Sequence, residues 1–159
     1  KRPKNISGDK VSDYAVIIHA LKAVEKIKNK KIDIILLIQP TSPLRKIKYI
    51  KDVIKKIVDK KLDSVWSVSK VDLKFHPLKQ LIINSNNYLS YFDKKGKNII
   101  ARQQLKNTYF RNGAVYAFSR KSIIKNKNLL GKKSSAYVIN APQISIDTLK
   151  DLKLASKLI

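Results

Sequence analysis

A chain of 159 residues that contains neither cysteine nor methionine is long enough to bury one hydrophobic core, but it can form no disulfide and no thiolate metal site. No apolar run approaches the roughly 20 residues that a membrane-spanning helix needs, so we expect no membrane partner. The formal net charge is +24, yet only five of the 35 basic residues are arginine; because nucleic-acid sites favour arginine interleaved with aromatic residues, this composition indicates solvated lysine surfaces and argues against a nucleic-acid partner.

The first half of the chain alternates between helical and strand patterns. Apolar residues at three- and four-residue spacing predict amphipathic helices over residues 11–28 and 47–62. Between them, the nearly continuous apolar run 32–38 predicts a strand that is buried on both faces, and residues 64–71 predict the next strand. This alternation predicts an α/β fold with a mixed, mainly parallel sheet and helices on both of its faces.

The second half of the chain is less regular. A polar Asn-Ser-Asn-Asn break between two short apolar runs predicts a hairpin. Strands are predicted over residues 112–119 and 136–140, with a short helix over 120–126 between them. The last segment predicts a helix, because Thr148 and Asp151 have the spacing of a capping box at its start.

The loop Ile-Gln-Pro-Thr-Ser-Pro-Leu-Arg, residues 38–45, follows the first buried strand directly. Its two prolines stiffen it, so little conformational entropy would be lost if it bound a ligand. The amide of Gln39 can both donate and accept hydrogen bonds, which suits a hydroxylated ligand. The hydroxyls of Thr41 and Ser42 could bind the same ligand or could cap the next helix, and we assign Arg45 to structure.

Five segments that span the chain carry a resemblance to a known family. They are the Arg-Pro…Asp segment over residues 2–9, LLIQPTSPLR at 36–45, FHPLK at 75–79, RQQL…YFRNGAVY at 102–116, and SIDT…DL…A at 145–155. In this order they resemble the acylneuraminate cytidylyltransferases, the CMP-sialic acid synthetases. The resemblance implies a Rossmann-like sheet of the nucleotide-diphospho-sugar transferase type.

The resemblance also implies a reaction and its partners. Family members transfer CMP from CTP to a nine-carbon 2-keto acid sugar, of the sialic, legionaminic or pseudaminic type, and release pyrophosphate. The resemblance implies Mg²⁺ as the cofactor, a cytoplasmic enzyme of surface polysaccharide biosynthesis, and a homodimer formed through a hairpin around residues 72–110.

The start of the chain departs from the family pattern. Family members begin with a Gly-rich loop that wraps the CTP phosphates, and this chain starts after the corresponding point. We therefore expect residues 1–159 to form a partial cytidylyltransferase domain that lacks the first strand or strands of the sheet and is inactive alone. The strand over residues 32–38 should then lie at the sheet edge, with one side unpaired.

The resemblance assigns roles to single residues. Arg102 would be catalytic and would bind the carboxylate of the sugar, because a planar guanidinium can form two parallel hydrogen bonds with it. Asp147 would be catalytic and would hold the metal. The position two residues earlier is an aspartate in the family and is Ser145 here, a weaker ligand for a hard cation. The further substrate-binding residues would be Gln39, Thr41, Ser42, Lys79, Gln103, Asn112 and Tyr116, and the nucleotide-binding residues Arg2, Val11 and Asp13.

Two other functions stay open. The first is a basic nucleic-acid-binding module, which would bind random DNA with a steep salt dependence. The second is a catalytically idle member of the same family that is kept for binding or assembly. Ser145 is the feature that favours this second alternative.

Overall fold

A computed structural model describes residues 2–158, which contain ten regular elements joined by loops and short 3-10 turns. The elements in chain order are α1 (Asp13–Lys28), β1 (Ile34–Leu37), α2 (Ile47–Asp59), β2 (Ser64–Lys70), β3 (Leu81–Ile83), β4 (Leu89–Tyr91), β5 (Tyr109–Ser119), α3 (Arg120–Asn126), β6 (Ser134–Val138) and α4 (Leu149–Ser156). Every predicted helix and strand is present. The bounds of α3 match the prediction, and β6 begins two residues earlier than predicted.

The main sheet has the strand order β1-β5-β2-β6. Strand β5 runs antiparallel to both β1 and β2, and β6 runs parallel to β2. Three strands therefore point the same way while β5 opposes them. The predicted mixed α/β sheet is confirmed, but the expectation of mainly parallel pairing was wrong, because the opposed strand is inserted between two strands that would otherwise be neighbours.

Strand β1 lies at one edge of this sheet. Its ladder to β5 runs from the pair of Ile34 and Ser119 to the pair of Leu37 and Tyr116, and within residues 2–158 this is the pairing that β1 makes. The expected edge position of this strand, with one unpaired side, is confirmed. Its four residues are all apolar and half-buried, which is unusual for an edge, since natural edges are often short, charged or broken by proline.

The core has two layers, one on each face of β5. On the first face, Val115 and Ala117 pack with residues of α2 such as Val53. On the second face, Tyr116 and Phe118 pack with α1 and α3. Because successive strand side chains point to opposite faces, this double cover explains why the centre of β5 reads as a continuous apolar run.

Residues 73–104, here called the hairpin region, stand apart from this core. They hold the β3–β4 ladder, in which Leu81 pairs with Tyr91 and Ile83 with Leu89, and several 3-10 turns. All six residues of β3 and β4 are exposed. The predicted hairpin is confirmed. Among the described helices, none has the length and apolar character that crossing a membrane requires.

Candidate functional site

The loop after β1 is fastened to the start of the buried part of β5. Ser42 Oγ donates a hydrogen bond to the carbonyl of Asn112 over 3.3 Å. The guanidinium of Arg45 donates to the carbonyls of Ala114 and Gln39. The predicted structural assignment of Arg45 therefore agrees with its position, because this one side chain bridges the loop and the strand.

A large bulge in β5 meets this loop. The β2–β5 register passes from Trp66 opposite Tyr116 to Val68 opposite Arg111. Four residues of β5, 112–115, therefore stand opposite the single residue Ser67 of β2. The amide of Asn112, which is 5% exposed, fills the bulge. Its Oδ1 accepts from Ser67 Oγ over 2.7 Å and from the N–H of Ala114 over 3.2 Å, and its Nδ2 donates to Ser69 Oγ over 3.0 Å.

These bonds assign Asn112 a positioning role. Its carbonyl-type oxygen already accepts two hydrogen bonds, which is its full capacity, and its amide nitrogen has one donor hydrogen engaged. The predicted direct contact between Asn112 and substrate would therefore have to use the second hydrogen of that nitrogen. The bulge itself is held further by Ser67 Oγ, which accepts from the N–H of Val115 over 2.9 Å.

Gly113 explains why the loop can approach so closely. Its φ is +74°, a conformation that residues with a side chain rarely adopt, and a Cβ added here would collide with Gln39 Oε1 and lie 2.5 Å from Ser42 Oγ. The side chains of Gln39 and Ser42 thus occupy the space that a side chain at residue 113 would need. We call residues 38–45 together with residues 112–116 the loop–bulge cluster.

Tyr116 closes the cluster on the face of the sheet that α1 covers. Its hydroxyl accepts a hydrogen bond from the N–H of Gly113 over 2.7 Å, and the residue is 3% exposed. Burial raises the pKa of Tyr116, the charge of Arg111 opposes that rise, and the carboxylate of Asp13 adds to it. Asp13 is the first residue of α1, the helix that packs against Tyr116 in the core, so a predicted nucleotide-binding residue and a predicted substrate-binding one lie on elements that are packed together.

The segment before α4 reaches the same loop. The N–H of Ile146 donates to the carbonyl of Thr41 over 2.8 Å, and Asp147 follows with an exposed side chain. The N-cap of α4 is Thr148, which forms the predicted capping box with Asp151. Because Thr148 is the N-cap, the carboxylate of Asp147 does not cap this helix.

Few groups near Asp147 in sequence could bind a metal ion together with it. Ser145, two residues earlier, is exposed and adds a neutral hydroxyl. Within residues 2–158, no three side chains of the His, Cys, Asp or Glu type come together in a way that could hold a metal. Mg²⁺ is often bound by one or two carboxylates with substrate phosphates as the other ligands, so Asp147 fits such an ion only as its one protein carboxylate.

The other predicted residues lie outside the loop–bulge cluster. Lys79 and Arg102 line a separate cavity of about 330 Å³ within the hairpin region. Arg102 and Gln103 belong to an exposed 3-10 turn, Arg102–Gln104. The structure therefore divides the predicted substrate-binding residues into two groups, one on the core and one on the hairpin region.

The predicted nucleotide-binding residues precede or begin α1. Arg2 is exposed, and its Nε donates to Ser7 Oγ over 3.3 Å. Val11 is half-buried, and its N–H donates to the carbonyl of Gly8. With Asp13, whose side chain is exposed, they lie on the segment that leads into α1, the helix that packs with Tyr116.

Sequence reasoning missed the residues that hold the bulge. Ser67 and Ser69 occupy alternate positions of β2 and supply hydroxyls to Asn112. Trp66 was also missed; the centre of its ring lies 4.7 Å from that of Tyr116 and 5.6 Å from the guanidinium carbon of Arg111. The available signal was that Ser67 and Ser69 lie two positions apart in β2 and therefore on one face of the strand, which indicates a polar role for that face.

The chain was compared with known protein families and with curated proteins. No family model matches the chain. The chain is 29% identical over 161 aligned positions to the N-acylneuraminate cytidylyltransferase of Escherichia coli O18:K1:H7 (strain RS218 / NMEC), an alignment that covers 97% of this chain and 35% of that protein. The chain therefore spans about a third of the length of this curated relative.

A solved structure extends the comparison to the fold. The structure of a CMP:2-keto-3-deoxy-manno-octonic acid synthetase complexed with CTP superposes with a TM-score of 0.58 at 14% identity, covering 94% of this chain and 68% of that one. The fold is thus of the nucleotide-sugar transferase type. The resemblance predicted from the five segments is confirmed as a similarity: the chain aligns over 97% of its length with an N-acylneuraminate cytidylyltransferase, and the solved structure agrees with it in fold.

Proposed function

We propose that this chain is part of a cytidylyltransferase that moves CMP from CTP to a nine-carbon 2-keto acid sugar and releases pyrophosphate. One observation carries the proposal: the loop after β1, the bulge of β5 and the segment before α4 converge at one end of the sheet. They bring Gln39, Tyr116 and Asp147 into one neighbourhood. These are residue types that suit a hydroxylated sugar and a phosphate-bound cation.

The chemistry would rest mainly on positioning. The 2-hydroxyl of the sugar attacks the α-phosphorus of CTP, the new O–P bond forms as the bond to pyrophosphate breaks, and the proton of the hydroxyl is released. Gln39 would orient the sugar hydroxyls and Arg102 the sugar carboxylate, so that the attacking oxygen is held in line. When bound at Asp147, Mg²⁺ would offset the charge on the phosphate oxygens.

We also propose that the hairpin region forms a homodimer interface. It exposes a run of large apolar side chains, among them Ile83 at 65%, Leu89 at 65% and Ile100 at 93%. A two-stranded ladder is marginal by itself and needs cover on at least one face, and exposed apolar surface of this kind marks interaction sites. A second copy presents an identical apolar surface, so a symmetric pairing would cover both.

Dimerisation would also explain why the predicted substrate-binding residues fall into two groups, one on the core and one on the hairpin region. Lys79 and Arg102 line a cavity of the hairpin region to which no residue of the loop–bulge cluster contributes. We infer that one copy supplies Gln39 and Tyr116 and the other supplies Lys79 and Arg102. In mixed dimers, an Arg102→Ala chain paired with a Gln39→Ala chain should then recover activity, because one of the two sites in such a dimer keeps both residues.

The test of the function is pyrophosphate release by the protein that carries this chain, with CTP, Mg²⁺ and sialic, legionaminic or pseudaminic acid in turn. We expect release only when CTP and one of the acids are both present, and no turnover by the 159 residues alone. Arg102→Ala should raise the apparent constant for the acid by about tenfold or more, since a charged hydrogen bond is lost. A raised CTP constant with an unchanged acid constant would refute the role of Arg102.

The idle-relative alternative rests on Ser145. With a hydroxyl in place of a second carboxylate, affinity for Mg²⁺ would be low and catalysis weak. Ser145→Asp should lower the Mg²⁺ concentration that half-maximal activity requires. A protein that binds the acid sugar but releases no pyrophosphate, with or without Ser145→Asp, would favour the idle relative. The cytoplasmic location and the role in surface polysaccharide synthesis are parts of the same proposal.

A further inference from the structure

A second concave site lies at the opposite end of the main sheet from the loop–bulge cluster. It is a cavity of about 480 Å³ next to the starts of β1 and β2 and the end of β5. Its charged lining comes from three separate parts of the chain and consists of Lys61, Asp63, Lys121, Lys125 and Lys132. We call it the basic cavity.

The charges of the basic cavity are unbalanced. Four lysines face a single carboxylate, that of Asp63. This carboxylate accepts from the backbone N–H groups of Lys132 and Lys133 over 2.8 and 2.9 Å. The hydrogen bond from Lys133 comes first among the causes that lower the pKa of Asp63, and the charges of Lys121 and Lys125 contribute to the same shift. Asp63 is therefore ionised at neutral pH, which leaves an excess of three positive charges.

Ion pairs engage few of the lysines in residues 2–158, and all four cavity lysines are exposed. On α2, Lys48 pairs with Asp52 and Lys55 with Asp59, each one helical turn away. No such ion pair forms at the four cavity lysines within the described chain. Arg120, the residue before Lys121, pairs with Glu25, with 2.6 Å between Nε and Oε1.

The wall of the cavity is built closely. Gly131 has a φ of +73°, and a Cβ there would collide with Asp63 Cβ and lie 2.7 Å from Ser122 Oγ. The N–H of Gly131 donates to Asn128 Oδ1 over 2.7 Å. This loop is therefore held against both Asp63 and α3, and it carries Lys132 to the edge of the cavity. The convergence of these exposed lysines depends on this tertiary packing.

We propose that the basic cavity binds a compact polyphosphate, either free or as the phosphate chain of a nucleotide. Lysine ammonium groups that converge in a concave site repel each other and create a strong positive potential there. A multivalent anion that binds between them offsets this repulsion. Ammonium groups bind phosphate oxygens as charged hydrogen-bond donors. The volume lies within the range of small-molecule sites. This site is independent of the proposed cytidylyl transfer, and its test does not require activity.

The test is calorimetric titration of the chain with inorganic triphosphate and, separately, with ATP, both without metal. The cavity variant is Lys121→Gln with Lys125→Gln. The matched control is Lys51→Gln with Lys153→Gln, which removes the same charge from exposed positions on α2 and α4. We expect saturable binding at one site that is weakened about tenfold or more in the cavity variant and less than about twofold in the control. Equal affinity for both probes identifies the phosphate chain as the recognised group, and tighter ATP binding identifies a nucleotide.

Amide NMR shifts locate the site and check that the variants are folded. With triphosphate, we expect the largest shifts at Asp63, Ser122 and Lys132. Shifts concentrated at Val11 and Asp13 would place the anion at the nucleotide segment and overturn the proposal. Equal weakening in both variants, or a random oligonucleotide that binds while triphosphate does not saturate, would also overturn it, because the attraction would then come from net charge alone.

Discussion

The loop–bulge cluster and the hairpin region differ in how their polar groups are hydrogen-bonded and in what they expose. In the cluster, buried polar groups such as Asn112 and Ser67 each find partners far away in sequence. In the hairpin region, the hydrogen bonds are local, as in the turn where Asn84 Oδ1 accepts from the N–H groups of Asn86 and Tyr88. The first region fixes the position of polar groups through tertiary contacts, and the second displays apolar side chains on a locally determined frame.

The strongest test of this contrast is Asn112→Ala against Asn84→Ala. Removing the buried amide leaves Ser67, Ser69 and the N–H of Ala114 without their partner, so we expect a loss of about 3 kcal/mol in the free energy of unfolding. The exposed amide of Asn84 can be replaced by water, so its loss should cost less than about 1 kcal/mol. Urea unfolding of both variants measures the difference, and equal losses would refute the contrast.

A second test uses two glycines. Gly113→Ala places a side chain in a left-handed conformation and against Gln39 and Ser42, so we expect a loss of about 2 kcal/mol in the free energy of unfolding. Gly8→Ala is the matched control, because no atom lies within 4 Å of the added Cβ. Its effect should stay within about 0.5 kcal/mol. Thermal unfolding of the pair gives the comparison, which fails if Gly113→Ala is as mild as its control.

The free energy of unfolding should also depend on pH through the pair of Tyr137 and Asp52. The hydroxyl of Tyr137 donates to Asp52 Oδ2 over 2.7 Å; burial and then this bond raise the pKa of Tyr137 to about 12, above the ordinary value of about 10. Its neutral form is therefore favoured by folding, and the stability it contributes is complete below pH ~10 and is lost as the pH rises toward 12. The hydroxyl of Tyr137 is also the first cause that lowers the pKa of Asp52, so the stability from Asp52 is present above its ordinary pKa of about 3.9 and is lost as the pH falls through its folded value.

Tyr137→Phe should flatten the alkaline decline of the free energy of unfolding between pH ~10 and ~12 and reduce the acid decline as well. Unfolding by urea at a series of pH values measures both slopes. Asp52→Asn should reduce the acid decline to a similar extent, because it removes the other partner. An alkaline slope that is the same in wild type and Tyr137→Phe would contradict the assignment.

The smallest effect on stability is expected in the hairpin region. Ile83→Ser with Leu89→Ser replaces side chains that are each 65% exposed, so the free energy of unfolding measured at low protein concentration should change by less than about 0.5 kcal/mol per site. Self-association measured by sedimentation should nevertheless fall. If unfolding is strongly affected while association is unchanged, these side chains belong to the core of a single copy.

The local elements were predictable from the sequence and their arrangement was only partly so. Helix α3 was predicted with its bounds, and in the structure Ser119 is its N-cap and accepts a hydrogen bond from the N–H of Ser122. The insertion of β5 between β1 and β2 was not predicted, since pairing between residues some 80 positions apart leaves no mark on local periodicity. The family resemblance supplied Asn112 as a site residue, but the reason for its presence, a bulge opposite Ser67, required the three-dimensional register.

The central position of β5 has a consequence for how the chain folds during synthesis. Strands β1 and β2 emerge from the ribosome first, yet the strand that joins them ends only at Ser119. Until then both apolar strands lack their common partner, and a high average sequence separation between contacts slows folding. Over that interval the nascent segment exposes unpaired strands that are prone to aggregation. The order of synthesis and the order of assembly therefore differ, and the interval between them is when this chain most needs a chaperone.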